Sequence, residues 1–312
     1  MSLPELILHH YPTSPFSEKV RLVLGAKSLT WRSVRIPVIM PKPDVLALTG
    51  GYRKTPLLQI GADIYCDTGL ICRVLDRLQP APALYPAQTA GTAQMLAEWA
   101  ESKLFWNAVP FAMQPAAAPY LFGDTPPEAI KAFGADRASF GPQTRRNSLV
   151  DGGNTLQHYL AWLETHLGDD RGFLVRGELS IADFAVYHPL WFLQLAPELA
   201  RQLEPHPRLR AWLERMRAFG HGTASKMTST EAIELAATTE AHAPVAVEPG
   251  LGFEAGQRVT IAAADYGTDP SAGVLVGLTR DSVTIERLDE RAGRVHVHFP
   301  RLGFQIHKEK TS

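Results

Sequence analysis

Apolar and polar residues follow one another along the first part of the chain in a pattern that predicts short strands and helices. Residues 6–11 form a short apolar run that ends at a proline, which is typical of a buried strand. Ser14 before Pro15 has the form of a helix N-cap followed by proline at the first helical position. A second strand, two short strands around a turn and a helix are predicted next, at residues 31–36, 56–66 and 68–79. The order β-α-β followed by β-β-α considerably reduces the number of folds that are compatible with this part of the chain.

Helical spacing dominates the middle of the chain. It follows a proline-rich linker at residues 80–88, since proline cannot continue a helix. Ser180 and Asp183 have the spacing of a capping box, in which the acidic side chain reaches back to the cap. Residues 37–50 and 107–127 are interrupted by prolines and are predicted to be irregular. Helices are predicted at residues 93–106, 154–167, 184–195 and 207–213.

The last part of the chain has a strand pattern. Residues 236–250 lack periodicity and predict a second linker, after which short alternating runs are separated by turns rich in glycine and aspartate. The strands are predicted at residues 258–261, 273–276, 282–288 and 295–299, as in a small antiparallel barrel. His296 and His298 share one face of the last of these strands. Two imidazoles can begin a metal site, but no third ligand lies at motif spacing, so we interpret the strand as half-exposed and predict no metal.

Composition narrows the possible partners and the compartment. The 312 residues carry a formal net charge of -1, which gives no electrostatic reason to expect nucleic acid or an anionic membrane as the main partner. The cysteines, Cys66 and Cys72, form no CxxC pair and are expected to be small buried residues. The start of the chain lacks the features of a signal peptide, and no run of about 18 apolar residues could span a bilayer. We therefore expect a cytoplasmic protein.

Four short motifs stand in order along residues 5–220: residues 11–21, Lys54-Thr55-Pro56, Asp67-Thr68 and the capping box at Ser180–Asp183. Together they resemble motifs of glutathione S-transferases. Residues 11–21, which contain Ser14-Pro15-Phe16, are similar to the first strand–helix junction of the classes that carry Ser-Pro-Phe or Cys-Pro-Phe there. Lys54-Thr55-Pro56 resembles the Lys-Val-Pro segment before the third strand of the family, and Asp67-Thr68 resembles its Glu-Ser pair at the third helix. Each motif alone is weak, but their order and spacing match family usage.

The resemblance implies an α+β multidomain protein. A thioredoxin-like, glutathione-binding domain is expected at residues 1–82, and an all-helical domain similar to the C-terminal domain of the family at residues 88–235. The strand pattern adds an expected small antiparallel β-barrel at residues 250–312, which is not part of the ordinary family architecture. The family also implies glutathione as co-substrate, an electrophilic small molecule as second substrate, and a symmetric homodimer.

Residue roles follow from the motifs that match. Ser14 would donate a hydrogen bond to the glutathione thiolate and lower its pKa, although a serine before proline also caps a helix without any ligand. Tyr11 is the alternative, because some classes use a tyrosine near the end of the first strand. The glutathione-binding residues implied by the resemblance are Phe16, Lys54, Thr55, Pro56, Asp67 and Thr68.

For most residues of that set, the resemblance implies a particular group of glutathione as the contact. Pro56 should follow a cis peptide bond, so that the Thr55 backbone pairs with the cysteinyl backbone. Asp67 and Thr68 would meet the γ-glutamyl end at a helix N-terminus. Lys54, or else Lys42 or Arg53, would pair with the glycyl carboxylate; the family's usual Asn-Pro pattern is absent from the residues just before Lys54.

The second substrate is expected between the first two domains, where small-molecule sites often form. Candidate lining residues are Phe16, Phe105, Trp106, Phe111, Met113, Tyr120 and Phe122. Serine at position 14 favours conjugation over thiol–disulfide exchange, because serine cannot form a mixed disulfide. A non-catalytic module that binds glutathione or a hydrophobic ligand, and uses the C-terminal strands for interaction, is the alternative function.

Overall fold

The computed structural model describes residues 3–140, 148–169 and 171–309. The outermost residues of the first and last predicted domains, 1–2 and 310–312, lie outside the described residues.

The first part of the chain forms the predicted β-α-β and β-β-α units. Its elements are β1 (Ile7–His10), α1 (Pro15–Ala26), β2 (Thr30–Arg35), α2 (Pro43–Thr49), β3 (Leu57–Ile60), β4 (Asp63–Cys66) and α3 (Thr68–Leu78). β1 pairs in parallel with β2 and antiparallel with β3, which in turn pairs antiparallel with β4. The helix α2 lies in a segment predicted to be irregular: it begins at a proline, as helices often do, and ends at Gly50, whose φ of 83° closes the last turn.

The middle of the chain is helical. Its elements are α4 (Ala90–Trp99), a π-helical turn (Ala100–Leu104), α5 (Phe105–Ala112), α6 (Ala118–Phe122), α7 (Pro127–Ala138), α8 (Leu149–His166), α9 (Ile181–Gln194), α10 (Pro197–Ala200) and α11 (Pro207–Arg217). The predicted capping box is confirmed: the Asp183 carboxylate accepts from the backbone N–H of Ser180 at 3.0 Å at the start of α9. No prediction covered α7, because none of its residues with a described side chain is buried and it carries no apolar stripe.

One strand and one helix after the helical region return to the N-terminal sheet. The strand β5 (Thr223–Met227) pairs in parallel with β2, and α12 (Ser229–Thr238) follows it. Neither element was predicted. Strand β5 is exposed along most of its length, so it lacks the buried alternation that marks a strand in sequence.

The C-terminal strands predicted at residues 258–261, 273–276, 282–288 and 295–299 are present, and a further strand that was not predicted follows at residues 304–308. The described strands do not close into a barrel. Their bounds are β6 (Arg258–Ala263), β7 (Ser271–Leu278), β8 (Ser282–Asp289), β9 (Gly293–Pro300) and β10 (Phe304–Lys308). The sheet of described strands runs β10-β6-β7-β8-β9-β4-β3-β1-β2-β5 and is open at both ends. Because β9 uses its second edge to pair in parallel with β4, the strands extend the N-terminal sheet instead of closing on themselves. The barrel is therefore not confirmed.

Two hydrophobic cores lie on opposite faces of this sheet. Neighbouring residues of β1 divide between them: Leu8 joins a core shared with α1, α3 and the central helices, whereas Ile7 joins a core shared with α2, α12 and the C-terminal strands. Cys72 lies in the first core and Cys66 in the second, and both are free and buried as predicted. Among the helices of the described residues, none is long and apolar enough to cross a membrane.

Candidate functional site

A cleft of about 630 Å³ lies between the N-terminal sheet and the central helices, where the second-substrate pocket was predicted. Its walls are mostly apolar with a few polar groups, as in small-molecule sites generally. The candidate residues that line it are Phe16, Phe105, Trp106, Met113 and Phe122. Two other candidates are not among the lining residues. Phe111 packs against the helical core, and Tyr120 is half exposed to solvent.

Ser14 is the residue just before α1, and it lines the cleft. Its Oγ accepts a hydrogen bond from the backbone N–H of Ser17 at 3.1 Å, so the predicted N-cap is present. The hydroxyl hydrogen is not used in that bond and can be donated to a group in the cleft. The N-terminus of α1 adds positive potential at the same point. Together these features suit a bound anion such as a thiolate.

The alternative hydroxyl also lies in the cleft. Tyr11 lines it, and its Oη is 3.4 Å from Nη2 of Arg137 on α7. A guanidinium beside a phenol oxygen orients that oxygen as an acceptor. The structure thus places both candidate hydroxyls at the cleft.

The bond between Thr55 and Pro56 is cis, as the resemblance implied. Thr55 lines the cleft, and its Oγ1 accepts a hydrogen bond from Nζ of Lys42 at 3.0 Å. The same ammonium donates to the carbonyl oxygen of Arg53 at 3.1 Å. Burial, helped by the nearby Arg137, lowers the pKa of Lys42 to about 8. Lys42 is therefore a buried cation in the cleft whose two recorded acceptors are neutral.

Lys54 and Arg53 are held by the loop between β6 and β7, residues 264–270. The Nζ of Lys54 is 2.5 Å from Oδ1 of Asp265 and 4.1 Å from the centroid of the Tyr266 ring. Arg53 pairs with Asp136 of α7 at 2.5 Å and with Asp269 at 3.5 Å. The chain's own carboxylates thus pair with two of the three cations that were considered for the glycyl carboxylate.

Asp67 and Thr68 cap α3, and neither they nor Pro56 is among the residues that line the cleft. The Asp67 carboxylate accepts from the backbone N–H of Gly69 at 2.8 Å, with a φ of 75° at Asp67. Such a φ is uncommon for a residue other than glycine and is found often at functional sites. Burial raises the pKa of Asp67. The α3 N-terminus therefore lies beside the cleft as a separate polar site.

A buried ion pair lies behind this site and was not predicted. Lys19 of α1 donates from Nζ to Oγ1 of Thr68 at 3.1 Å and forms a close pair with Glu101 of the π-helical turn. His188 lies 3.7 Å from the same carboxylate and packs against Phe16, with ring centroids 4.8 Å apart and the rings tilted by 41°. Burial alone would raise the pKa of Glu101, but the Lys19 ammonium and His188 together outweigh it, and the pKa falls to about 2. The sequence feature that could have indicated this ion pair is Lys19, a lysine on the buried face of a predicted helix.

Other cleft residues come from segments without a sequence signal. Phe133 and Arg137 are on α7, which no pattern predicts, and Tyr266 lies in a segment that was interpreted only as a turn. The Tyr266 ring packs edge-on against Trp106 at 5.2 Å between centroids, so the C-terminal strands contribute one wall of the cleft.

Comparisons with family models agree with this geometry. The model described as the glutathione S-transferase N-terminal domain matches residues 8–83, and that of the C-terminal domain matches residues 151–215. A GST-like protein from Pseudomonas syringae has 43% sequence identity and a TM-score of 0.82, and the match covers 98% of this chain and 100% of that one.

Two more distant relatives share parts of the chain. FtsZ-localized protein A of Caulobacter vibrioides is 26% identical over 187 residues, which is 58% of this chain and 74% of that protein. A rice GST solved in complex with glutathione is 22% identical, with a TM-score of 0.50 over 70% of this chain and 88% of that one. The latter similarity is one of fold.

Proposed function

Because this chain belongs to the glutathione S-transferase family, we propose that it conjugates the thiolate of glutathione to an electrophilic, largely apolar small molecule. The observation that carries this proposal is the Ser14 hydroxyl at the N-terminus of α1, which opens onto an apolar cleft of about 630 Å³. A hydroxyl donor and a helix N-terminus both stabilise an anion there, and the apolar walls suit the second substrate.

The reaction requires the thiol to lose its proton, which passes to solvent water, before the sulfur attacks. The thiolate sulfur then forms a bond to the electrophilic carbon, and the leaving group departs with the bonding electron pair. Ser14 stabilises the thiolate, and holding it beside the electrophile supplies the advantage of proximity. Phe16, packed 4.7 Å from Phe105 between ring centroids, forms the apolar wall against which the second substrate lies.

The polar residues around the cleft would hold the two ends of the tripeptide. The Thr55 backbone would pair with the cysteinyl backbone as an added strand does. Lys42 and Lys54 are the cations for the glycyl carboxylate, and Lys54 must first give up Asp265. Asp67 and Thr68 at the α3 N-terminus would receive the γ-glutamyl end.

A non-catalytic binding module is the second candidate function. The contacts of Lys54 with Asp265 and of Arg53 with Asp269 favour it, because they engage cations that a conjugating enzyme of this family would use for glutathione. The 26% identity to FtsZ-localized protein A, whose name describes a location and not a reaction, is consistent with this candidate.

Calorimetry with glutathione, together with turnover of a panel of electrophiles such as a chlorodinitrobenzene, separates the two candidates. Conjugation predicts saturable binding and a thioether product. Binding without product for any electrophile favours the module, and absence of glutathione binding contradicts both. The homodimer implied by the family remains a proposal, which light scattering of the purified chain tests directly.

A further inference from the structure

Two histidines and a carboxylate meet where the C-terminal strands join the N-terminal sheet. The parallel pairing of β4 with β9 places Asp63 opposite His296. His242, on the connection after α12, stacks on His296 with ring centroids 3.7 Å apart. One nitrogen or oxygen ligand atom from each of these residues lies within 4.8 Å of the other two. Three separate segments of the chain thus bring metal-ligand atoms to one point, which we call the junction cluster.

The junction cluster contains buried nitrogens without hydrogen-bond partners. His296 is 8% exposed, and its Nδ1 has no partner among the described residues although it lies 4.0 Å from Oδ1 of Asp63. Both ring nitrogens of His242 are likewise buried and unpartnered, with Nδ1 3.8 Å from Oδ2 of Asp63. A buried polar atom without a partner costs free energy, and two unpartnered imidazole nitrogens that face one carboxylate form a donor set that a cation would satisfy.

The surroundings of the cluster resemble the outer shell of a metal site. Nε2 of His296 lies 3.5 Å from Oε2 of Glu286, an arrangement that leaves Nδ1 as the metal-binding nitrogen. Nε2 of His298 is 2.6 Å from Oδ1 of Asp63, and Nδ1 of the same ring is 3.0 Å from the hydroxyl of Thr284. The Asp63 carboxylate also accepts from the backbone N–H of Ala243 at 2.8 Å. The carboxylate and one imidazole are thus held in place by partners of their own.

The distances are close to those that a small divalent ion needs. Zinc binds histidine nitrogen at about 2.0–2.1 Å, so two ligand atoms of a tetrahedral site are about 3.4 Å apart. Nδ1 of His242 and Nδ1 of His296 lie 3.8 and 4.0 Å from Asp63, each from a different oxygen of the carboxylate, and the three ligand atoms lie within 4.8 Å of one another. The ligand atoms therefore need to close by roughly 0.5 to 1.5 Å. The metal must lie near the plane of each imidazole, so the stacked His242 ring must turn. His242 can do so because neither of its nitrogens is hydrogen-bonded to a described residue.

We propose that Asp63, His242 and His296 bind a divalent transition metal of the zinc type. Imidazole nitrogen with carboxylate oxygen is a donor set that zinc accepts, and a fourth position remains for water. A surface cleft lined by Asp63 and His242 provides the entry path. The ion joins β4, β9 and the connection after α12, so it fastens the C-terminal strands to the N-terminal sheet. Local spacing did not reveal the site, because Asp63 and His296 are far apart in sequence.

Zinc binding to the purified full chain, stripped with a chelator and titrated by calorimetry, tests the proposal. We expect one zinc ion per chain and a rise in the melting temperature when zinc is added. Cobalt substituted for zinc should show the intense visible absorption of a four-coordinate nitrogen and oxygen site. The variants His242→Gln and His296→Gln should each bind zinc at least tenfold more weakly and lose the zinc-dependent rise in melting temperature.

A matched variant separates this site from adventitious binding at surface histidines. His307 is exposed on β10, so His307→Gln should keep the wild-type affinity and stoichiometry. His242 lies on an irregular connection, so its variant tests the site even if His296→Gln fails to fold. Equal zinc binding by wild type and His242→Gln, or absence of zinc binding by the folded wild type, would overturn the proposal.

Discussion

The ion pair between Lys19 and Glu101 is expected to be a main support of the cleft, and Glu101→Gln is the change that tests it. Lys19 is buried on α1, and the Glu101 side chain on the π-helical turn is 22% exposed. The pair therefore connects the N-terminal unit to the helices that form the opposite wall. Glutamine keeps the size of the side chain but removes its charge, which leaves the Lys19 ammonium with Thr68 as its other recorded partner.

Two arguments give similar magnitudes for this change. Removing one partner of a buried ion pair typically costs about 3–5 kcal/mol, because the remaining charge is left uncompensated. Burial opposes ionisation of Glu101, yet Lys19 and the neighbouring His188 together lower its pKa from 4.5 to about 2. At ~1.4 kcal/mol per pH unit this corresponds to about 3 kcal/mol of stability at neutral pH. Because the folded-state pKa is the lower one, this stability is present above pH 4.5 and is lost as the pH falls towards 2.

Urea denaturation at neutral and acidic pH measures this free energy of unfolding. Glu214→Gln is the matched control, since Glu214 pairs with Arg217 on an exposed surface and should contribute less than ~1 kcal/mol. The double variant Lys19→Met with Glu101→Leu should recover much of the loss, because it buries no unpaired charge. If Glu101→Gln destabilises the protein no more than Glu214→Gln does, the reasoning about this pair is wrong.

Three further predictions concern the cleft and its support. Asp265→Asn should free Lys54 and tighten glutathione binding by up to about fivefold in calorimetry, as expected for an exposed ion pair, and weaker binding would show that the pair positions Lys54 instead. Since the pKa of Lys42 is lowered to about 8, chiefly by burial, its positive charge is lost as the pH rises through that value. Binding of S-methylglutathione, which has no thiol to titrate, should therefore weaken above pH 8 in the wild type but not in Lys42→Arg; equal pH profiles would exclude Lys42 from the site. Ser180→Ala should lower the free energy of unfolding by about 1 kcal/mol through loss of the helix cap, and an unchanged value would mean that Asp183 alone caps α9.

Local patterns were sufficient for the elements that surround the Ser14 motif. The strand β1 and the helices α1 and α3 carry apolar periodicity, capping residues or proline within a few positions of one another, so their sequence determines them directly. The capping box at Ser180 is likewise a three-residue feature. Of the residues assigned to glutathione, Ser14, Phe16, Lys54 and Thr55 line one cleft.

The features of the site that the sequence did not predict depend on contacts between residues far apart in the chain. The contact between Lys54 and Asp265 joins residues 211 positions apart, and no local pattern indicates which loop will reach the cleft. The pairing of β4 with β9 is also a long-range contact, because the sequence of a strand does not show which other strand will pair with its edge. It also explains why His296 and His298 are buried on a strand that alternation alone describes as half-exposed.

The pKa of the glutathione thiol in the complex is the measurement that tests the central claim most directly. A free cysteine thiol titrates near ~8.5, and a charge-assisted hydrogen bond worth about 1.5–3 kcal/mol should lower the pKa of the bound thiol by about 1–2 units. Ultraviolet absorption of the thiolate against pH should therefore show a lowered pKa in the wild type and in Tyr11→Phe, and a return towards the ordinary value in Ser14→Ala. An ordinary thiol pKa in the wild-type complex, or a rise in Tyr11→Phe but not in Ser14→Ala, would contradict the role assigned to Ser14.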